Sequence, residues 1–454
     1  MDIIVKQNPG VTSREFSGLE LDIPSLKRKF TLDVDFSAIL NMSWRVDRKA
    51  LDFMVIAAVV FAIDKIASRK KTHDRWTRTL NISMPLQFPE AWKPAADMLA
   101  QSVSFLTGDS WHFRFTQAAT PFYKRRSNRR KKPLGFPQSP VVALLSGGLD
   151  SFAGALDLMA KHPGKQILFV SHYDGDVAGP ASDQTKLCSV LEKKFPGCVT
   201  HLKVRVGLRR STEKESQDSS KYDFETTFRS RSLIFLGLAI YAAAKTGKGI
   251  PVVIPENGPI ALNMPLNPSR RGSCSTRTVH PYFLASLQKA LTAAGIRHTI
   301  INPYELKTKG EILVGCQHPD LLKSAYPLTN SCGKAGRRTH WKNKTARACG
   351  ACVPCLFRRA SLHAIGCDDE LFGHDVFAGR PEEYPDFHAL IGLIRRKPNK
   401  NDIARDLVAN GRFPIDRIDG YVDVVSRMIT EVKNWLSAKA PASVCALAGI
   451  VKAQ

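Results

Sequence analysis

The sequence predicts an α/β protein: an open parallel sheet with helices on both faces, Rossmann-like in its alternation. Three observations carry this expectation. First, the apolar run Val141 to Leu145 leads into Ser146-Gly-Gly-Leu-Asp-Ser151, and helical apolar spacing follows from Phe152 to Met159. A buried strand therefore feeds a helix through a glycine-rich loop. Second, strands and helices continue to alternate over 138–325, which implies right-handed crossovers in a parallel sheet. Third, Cys332, Cys349, Cys352 and Cys355 mark a four-cysteine zinc knuckle over 326–366. An N-terminal α+β accessory unit over 1–137 and a helical C-terminal extension over 367–454 complete the expected organisation.

In the first unit, Phe30–Phe36, Leu80–Met84 and Trp111–Thr116 alternate as half-exposed strands, and Lys49–Ile66 and Ala91–Leu106 have helical spacing. The apolar run Phe53–Ile63 is too short to span a bilayer and is flanked by Asp52 and Asp64, so it reads as a buried helix. No metal or catalytic spacing occurs in this unit, which reads as a docking or recognition module. The segment Tyr123–Gly135 is the densest charge run in the chain, either an exposed linker or a grip on a phosphate backbone. In the second unit the strands are Ile167–His172, Val199–Val206, Val252–Ile254 and His298–Ile301. The helices are Ser182–Phe195, Glu225–Lys245, Pro281–Ala294 and Thr308–Gly315. The helices Asn401–Asn410 and Tyr421–Leu436 of the extension carry no legible site chemistry.

A chain of 454 residues, 43% hydrophobic, is long enough for two or three compact units with a sizeable core. The start Met1–Lys6 lacks the order of a signal peptide and no membrane span is legible, so a cytoplasmic protein without a membrane partner is expected. In that reducing compartment ten cysteines argue for thiols or metal ligands. The formal charge of +25 points to a polyanionic partner, RNA, DNA or an acidic protein, or else to a solvated basic surface.

The candidate chemistry begins at the loop. Gly147 and Gly148 let the backbone approach a ligand, Ser146 and Ser151 add hydroxyls, and the helix opened by Leu149 and Asp150 attracts an anion at its N-terminus. A nucleotide phosphate is the expected occupant. The loop is neither a Walker loop nor Gly-x-Gly-x-x-Gly. Ligands of open α/β sheets bind beyond the carboxyl ends of the strands, so the other strand ends become candidates. His172 and Asp174 are placed to meet adenine, ribose or magnesium, or else form a polar strand end without contacts. Arg229 and Arg231 are poor partners for a helix macrodipole but good phosphate ligands, and Arg231 is the expected phosphate or acyl-adenylate contact. Glu256 and Asn257 form either a substrate contact or a plain turn. Lys307 and Lys309 again place cations at a helix start. Three thiols at i, i+3 and i+6, with Cys332 upstream, suit a closed tetrahedral zinc site of structural type; an iron-sulfur cluster and redox thiols are the competing readings. Cys188, Cys198, Cys274, Cys316, Cys367 and Cys445 fall outside this spacing and read as small core residues.

Ser146-Gly-Gly-Leu-Asp-Ser151 after a strand resembles the pyrophosphate loop of the ATP pyrophosphatase (PP-loop) superfamily. Joined to Ser331, Cys332, Cys349, Gly350, Cys352, Cys355 and Arg358, to Arg231 with Phe235, Leu236 and Ala239, and to Lys309–Glu311, it resembles the 7-cyano-7-deazaguanine synthase family over about 138–366. That resemblance implies ATP, Mg2+ and Zn2+ as cofactors and a deazaguanine carboxylate as substrate, activated by adenylation for attack by ammonia. Asp150, Arg231 and Lys309 would then serve catalysis. The sequence departs from the family at Ser230-Arg231-Ser232, in the unrecognisable substrate segment Leu262–Arg277, and in the basic insertion Gly333–Ala348 with His340 and Trp341. The length, the Ala57–Ile66 helix and Thr107–Trp111 look like the long synthase-like proteins of bacterial anti-phage systems, the QatC type, which implies a partner protein of a defence operon, its amine a candidate acyl acceptor. The alternatives are a PP-loop enzyme that modifies RNA and a nucleotide-binding module without catalysis.

Overall fold

The computed structural model describes residues 1–451 apart from 14–15, 27, 44, 123–133, 176–178, 211–224, 226–228 and 268–276. The charge run at 123–133, Cys274 and much of the expected substrate segment thus lie outside the described residues.

The strands are β1 (Asp2–Ser13), β2 (Phe16–Ile23), β3 (Arg28–Val34), β4 (Thr79–Leu86), β5 (Ser110–Gln117), β6 (Val142–Leu144), β7 (Ile167–Tyr173), β8 (Val199–Arg210), β9 (Val252–Val253) and β10 (Ile300–Ile301). They form one sheet in the order β10-β9-β6-β7-β8-β3-β2-β1-β4-β5. The first five in that order are mutually parallel. Antiparallel pairs link β8 to β3, β3 to β2 and β2 to β1, and parallel pairing resumes through β4 to β5. The result is an α/β fold with a mostly parallel sheet. Several features differ from the sequence reading: the helix expected over Ala91–Leu106 is broken into Pro89–Trp92 and Ala96–Thr107, and the last strand keeps only Ile300–Ile301 of His298–Ile301. β1 and β2 were not expected, and β8 runs on past Val206 because its second half pairs with β3, Phe30 opposite Arg210 and Val34 opposite Val206. The sheet is therefore continuous across residue 137, where composition suggested a boundary.

Both faces of the parallel half are covered, as its unbroken apolar strands require. Leu168 and Val170 of β7 face a core built with the helices Arg48–Ile66 and Arg231–Thr246. Ile167 and Phe169 face the opposite core, built with the helices Leu149–Lys161 and Pro180–Lys194. The helix Arg48–Ile66 is buried around nearly its whole circumference, which explains the run without polar interruption from Phe53 to Ile63. Among the described residues no helix is long and apolar enough to cross a membrane. The extension folds as the helices Pro385–Arg396, Lys400–Asn410 and Ile418–Lys439 over a third core, which takes in Leu262, Leu266 and Leu356.

A buried ionic network fixes the entrance to the helix Arg231–Thr246. Arg78 is 2% exposed and bonds Asp64 and Asp109, each at 2.5 Å, and the Ala67 carbonyl at 2.6 Å. Arg69 reaches Asp109 at 2.6 Å and donates its backbone N–H to Glu225 at 3.0 Å. Asp64 in turn accepts from the Ser230 hydroxyl and N–H at 2.8 and 2.9 Å, directly before Arg231. Replacing Arg78 with alanine leaves two buried carboxylates short of a counter-charge, so a loss of about 3–5 kcal/mol in unfolding free energy is expected. Denaturant titration checks this, and a loss under about 1 kcal/mol would contradict the role given to the network.

Two of the histidines that burial holds neutral, both fully enclosed, contribute to the acid limit of the fold; His201 is likewise pushed down to about 4. Burial pushes His172 down to about 4, and His280 to about 3. Both are neutral when folded, whereas in the unfolded chain they titrate near 6.5. As pH falls from about 6.5 towards 4 the unfolded chain takes up protons that the folded one refuses, so stability is present above that window and lost within it. Each histidine contributes about 1.4 kcal/mol per pH unit. Urea midpoints that stay level between about pH 7.5 and 5 would refute this.

Candidate functional site

The loop after β6 folds back on itself. Gly147 has φ +91°, a conformation that glycine adopts without strain. The Ser151 hydroxyl donates to the Gly148 carbonyl at 2.9 Å and accepts the Ser146 N–H at 3.2 Å. From outside, Asn330 donates its N–H to the Gly147 carbonyl at 2.9 Å, and Gln184 donates to the carbonyls of Ser146 at 3.4 Å and His172 at 2.9 Å. Gly148 is the N-cap of the helix Leu149–Lys161 and supplies no side-chain cap. The first-turn N–H groups of Leu149, Asp150 and Ser151 are thus left for an anion, in a loop whose shape is already set.

Asp150 is the centre of a compact polar cluster. Its carboxylate is 4% exposed and forms an ion pair with Lys309. The Asn257 side-chain amide donates to Asp150 at 2.7 Å and to Glu256 at 3.0 Å, bridging the two acids. Burial raises Asp150, but the Lys309 ammonium and the hydrogen bonds it receives outweigh that and hold it below the usual carboxylate value. Glu256 is driven well above its ordinary value by burial and by the charge of Asp150. The pair thus holds one charged and one protonated carboxyl. Helix and loop can meet here because position 154 is glycine: a Cβ on it would lie 2.4 Å from Pro255.

Lys309 opens the helix Lys309–Val314, which begins with a Thr308/Glu311 capping box. Glu431, on the helix Ile418–Lys439, accepts from the Thr308 hydroxyl at 2.5 Å and from the Gly310 N–H at 3.0 Å. The extension thus buttresses the lysine that pairs with Asp150, a role that the sequence reading missed. No local pattern marks Glu431.

Four of the expected residues, Asp150, Glu256, Asn257 and Lys309, are brought together with the loop. His172 and Asp174 belong to the other face of the sheet. The His172 ring is 2% exposed, hydrogen-bonded through Nε2 to the Val206 carbonyl at 3.2 Å, and packed edge-on against Phe61 and Phe235. Asp174 is paired with Lys65 of the helix Arg48–Ile66 at 2.7 Å. Arg231 is exposed at the start of its helix, its guanidinium 5.8 Å above the Phe235 ring; the protein around it lowers its pKa and Asp174 opposes that shift. Arg229, expected beside it as a phosphate ligand, instead donates to the Thr107 carbonyl at 2.7 Å and lies 4.2 Å above the Trp76 ring. It ties this helix to the first unit.

The sulfurs of Cys332, Cys349, Cys352 and Cys355 all lie within 4.8 Å of one another. Three of the four residues are buried. Backbone N–H groups of Lys334 and Cys349 point at the Cys332 sulfur, and that of Cys352 at the Cys349 sulfur, each at 3.3 Å. This all-thiolate shell can hold a metal ion such as zinc without leaving an open position. The centre is tied to the loop, since Asn330 bonds Gly147 and Arg347 pairs with Asp183 at 2.5 Å. Cys316 and Cys445 are buried, and Cys188, Cys198 and Cys367 partly so.

No protein-family model matches the chain, and neither a characterised protein nor a solved structure shows significant similarity to it.

Proposed function

We propose that the chain is an ATP-dependent carbon–nitrogen ligase that adenylates a carboxylate, 7-carboxy-7-deazaguanine being the expected acid. The observation that carries this reading is the Asp150–Lys309–Asn257–Glu256 cluster at the uncapped N-terminus beside the Ser146–Ser151 loop. The loop N–H groups and hydroxyls suit a pyrophosphate, and the hard oxygens of Asp150, joined by those of Glu256 once the cation displaces its proton, suit Mg2+. ATP supplies the leaving pyrophosphate. A carboxylate oxygen bonds to the α-phosphorus as the bond to the bridging oxygen breaks; ammonia, or the amine of a partner protein, then bonds to the acyl carbon and AMP departs with that oxygen. The loop amides and Lys309 stabilise the negative charge that develops, so positioning and electrostatics suffice without a side-chain nucleophile; Arg231, which has Asp174 as its charged neighbour, is assigned to phosphate on the resemblance alone. The identity of the acid rests on the joint resemblance of loop and knuckle to the deazaguanine synthases. Zinc in the four-cysteine centre has a structural role, because the thiolates fill its shell.

The test supplies ATP, Mg2+ and 7-carboxy-7-deazaguanine, with and without ammonia, and measures AMP, pyrophosphate and product mass. Acid-dependent AMP formation with an amide or nitrile product is expected. ADP formation, or ATP turnover indifferent to every carboxylate offered, would refute the proposal.

A further inference from the structure

A cleft of about 600 Å3 opens beside the cysteine centre, and no residue of the loop or of the Asp150 cluster lines it. Its wall is formed by Arg359, Phe372, Phe377 and Trp435, with Lys342 and Lys439 also lining it. The Arg359 guanidinium lies 5.0 Å above the Phe372 ring, 4.9 Å above Phe377 and 5.1 Å above Trp435. Its Nη1 is buried and has no hydrogen-bond partner among the described residues. Asp368, Glu370 and Asp375 line the cleft as well but leave that donor unmet: Glu370 is bonded to Arg358 at 2.6 Å and Asp368 pairs with Lys439 at 3.2 Å. Asp375, at the exposed edge, accepts the Phe377 N–H at 2.9 Å. A buried donor left unpaired is costly, and an acceptor entering the cleft would relieve that cost.

The cleft meets the insertion 333–348, which contains six Lys or Arg residues and no acid. The insertion has a defined shape. Trp341 is buried against Gly373, where a Cβ would come within 2.6 Å of its ring, and Asn343 donates its N–H to the Gly373 carbonyl at 2.9 Å. Arg338 donates to the Lys344 carbonyl at 2.6 Å. Arg338, His340, Lys342 and Lys344 are left exposed as a ridge, and Lys342 belongs to both ridge and cleft.

An aromatic wall with an unmet donor, opening onto a row of cations, matches a ligand that carries a planar ring with an acceptor edge and, next to it, a run of phosphates. Single-stranded nucleic acid has that chemistry. A duplex keeps its bases stacked, and an acidic peptide matches the ridge but not the cleft. We propose that the cleft and the insertion form a single-stranded nucleic-acid site. One base sits against Phe372 and Phe377 with an acceptor on the Arg359 guanidinium, and the phosphates follow Lys342, Lys344 and Arg338. This inference stands apart from the ATP chemistry and survives if that reading fails.

The test is fluorescence anisotropy of the full chain with a labelled single-stranded RNA of about 12 nucleotides, its DNA counterpart, a duplex and polyglutamate, over a range of salt. Single strands are expected to bind at least about tenfold more tightly than duplex or polyglutamate, and to quench tryptophan fluorescence in a way lost in Trp435→Phe. The triple variant Arg338→Ala/Lys342→Ala/Lys344→Ala should weaken binding by about tenfold or more and lower the logarithmic salt slope by about 2, at roughly 0.7 per phosphate contact. Arg359→Lys, which keeps the charge but loses the planar donor, should weaken binding without changing that slope. Metal content is compared in every variant to show that the knuckle is intact. Equal binding of polyglutamate without quenching would make the surface a dock for an acidic protein and overturn the proposal. Unchanged RNA binding by the triple variant would overturn it as well.

Discussion

Asp150→Ala is expected to lower acid-dependent AMP formation by a factor of about 100 to 1,000, the range seen when one preorganised electrostatic group is removed from a reacting centre. Asp150 holds two things in place. Its ion pair fixes the Lys309 ammonium, and its bond from Asn257 fixes the loop that carries Glu256. Without it Lys309 remains buried without its counter-charge, and Glu256 loses the neighbouring negative charge that, after burial, keeps it protonated. The Glu256 pKa should therefore fall. Asp150→Asn keeps the shape and removes the charge, so it should show a comparable loss of rate with a smaller loss of thermal stability. A rate within about threefold of wild type in both variants, read as AMP by chromatography, would show that the cluster takes no part in the chemistry. Unfolding midpoints measured alongside separate a lost site from a lost fold.

Cys352→Ser, or prolonged chelation, is expected to remove one bound metal ion per chain and to reduce AMP formation with it, although the thiolates touch no substrate. Structural zinc contributes on the order of 10 kcal/mol to the folding of small thiolate sites. Here the segment it would organise supplies the Asn330 N–H to Gly147 and the Arg347 pair to Asp183. Losing those contacts loosens the loop proposed to receive the phosphates. Metal analysis, thermal unfolding and AMP formation should fall together. A metal-free chain that keeps its full rate would show that the knuckle and the loop are energetically independent.

What the sequence made legible was local. The loop residues Ser146–Ser151 and the spacing of Cys349, Cys352 and Cys355 are close in the chain, and their backbone demands are written in adjacent glycines and apolar residues. Unbroken apolar strands such as β6 and β7 announced a sheet covered on both faces. β1 stayed hidden because its sequence, DIIVKQNPGVTS, interrupts the alternation with Asn8-Pro-Gly10. The ionic network stayed hidden because Asp64, Arg78 and Asp109 are each unremarkable surface-type residues until tertiary contacts enclose them. Arg229 shows the same limit: a guanidinium at a helix start is chemically suited to phosphate, yet here the first unit supplies its partners. Glu431 acts on residues more than a hundred positions away, so no spacing rule reaches it.

The most direct test follows the oxygen. 7-Carboxy-7-deazaguanine labelled with heavy oxygen in its carboxylate is turned over with ATP, Mg2+ and ammonia in unlabelled water, and the AMP is weighed by mass spectrometry. Adenylation of the carboxylate predicts one labelled oxygen in each AMP, because that oxygen bonds to the α-phosphorus and stays there when the nitrogen displaces it from carbon. AMP without label would mean that water, not the carboxylate, attacks the phosphorus, and the ligase account would fail.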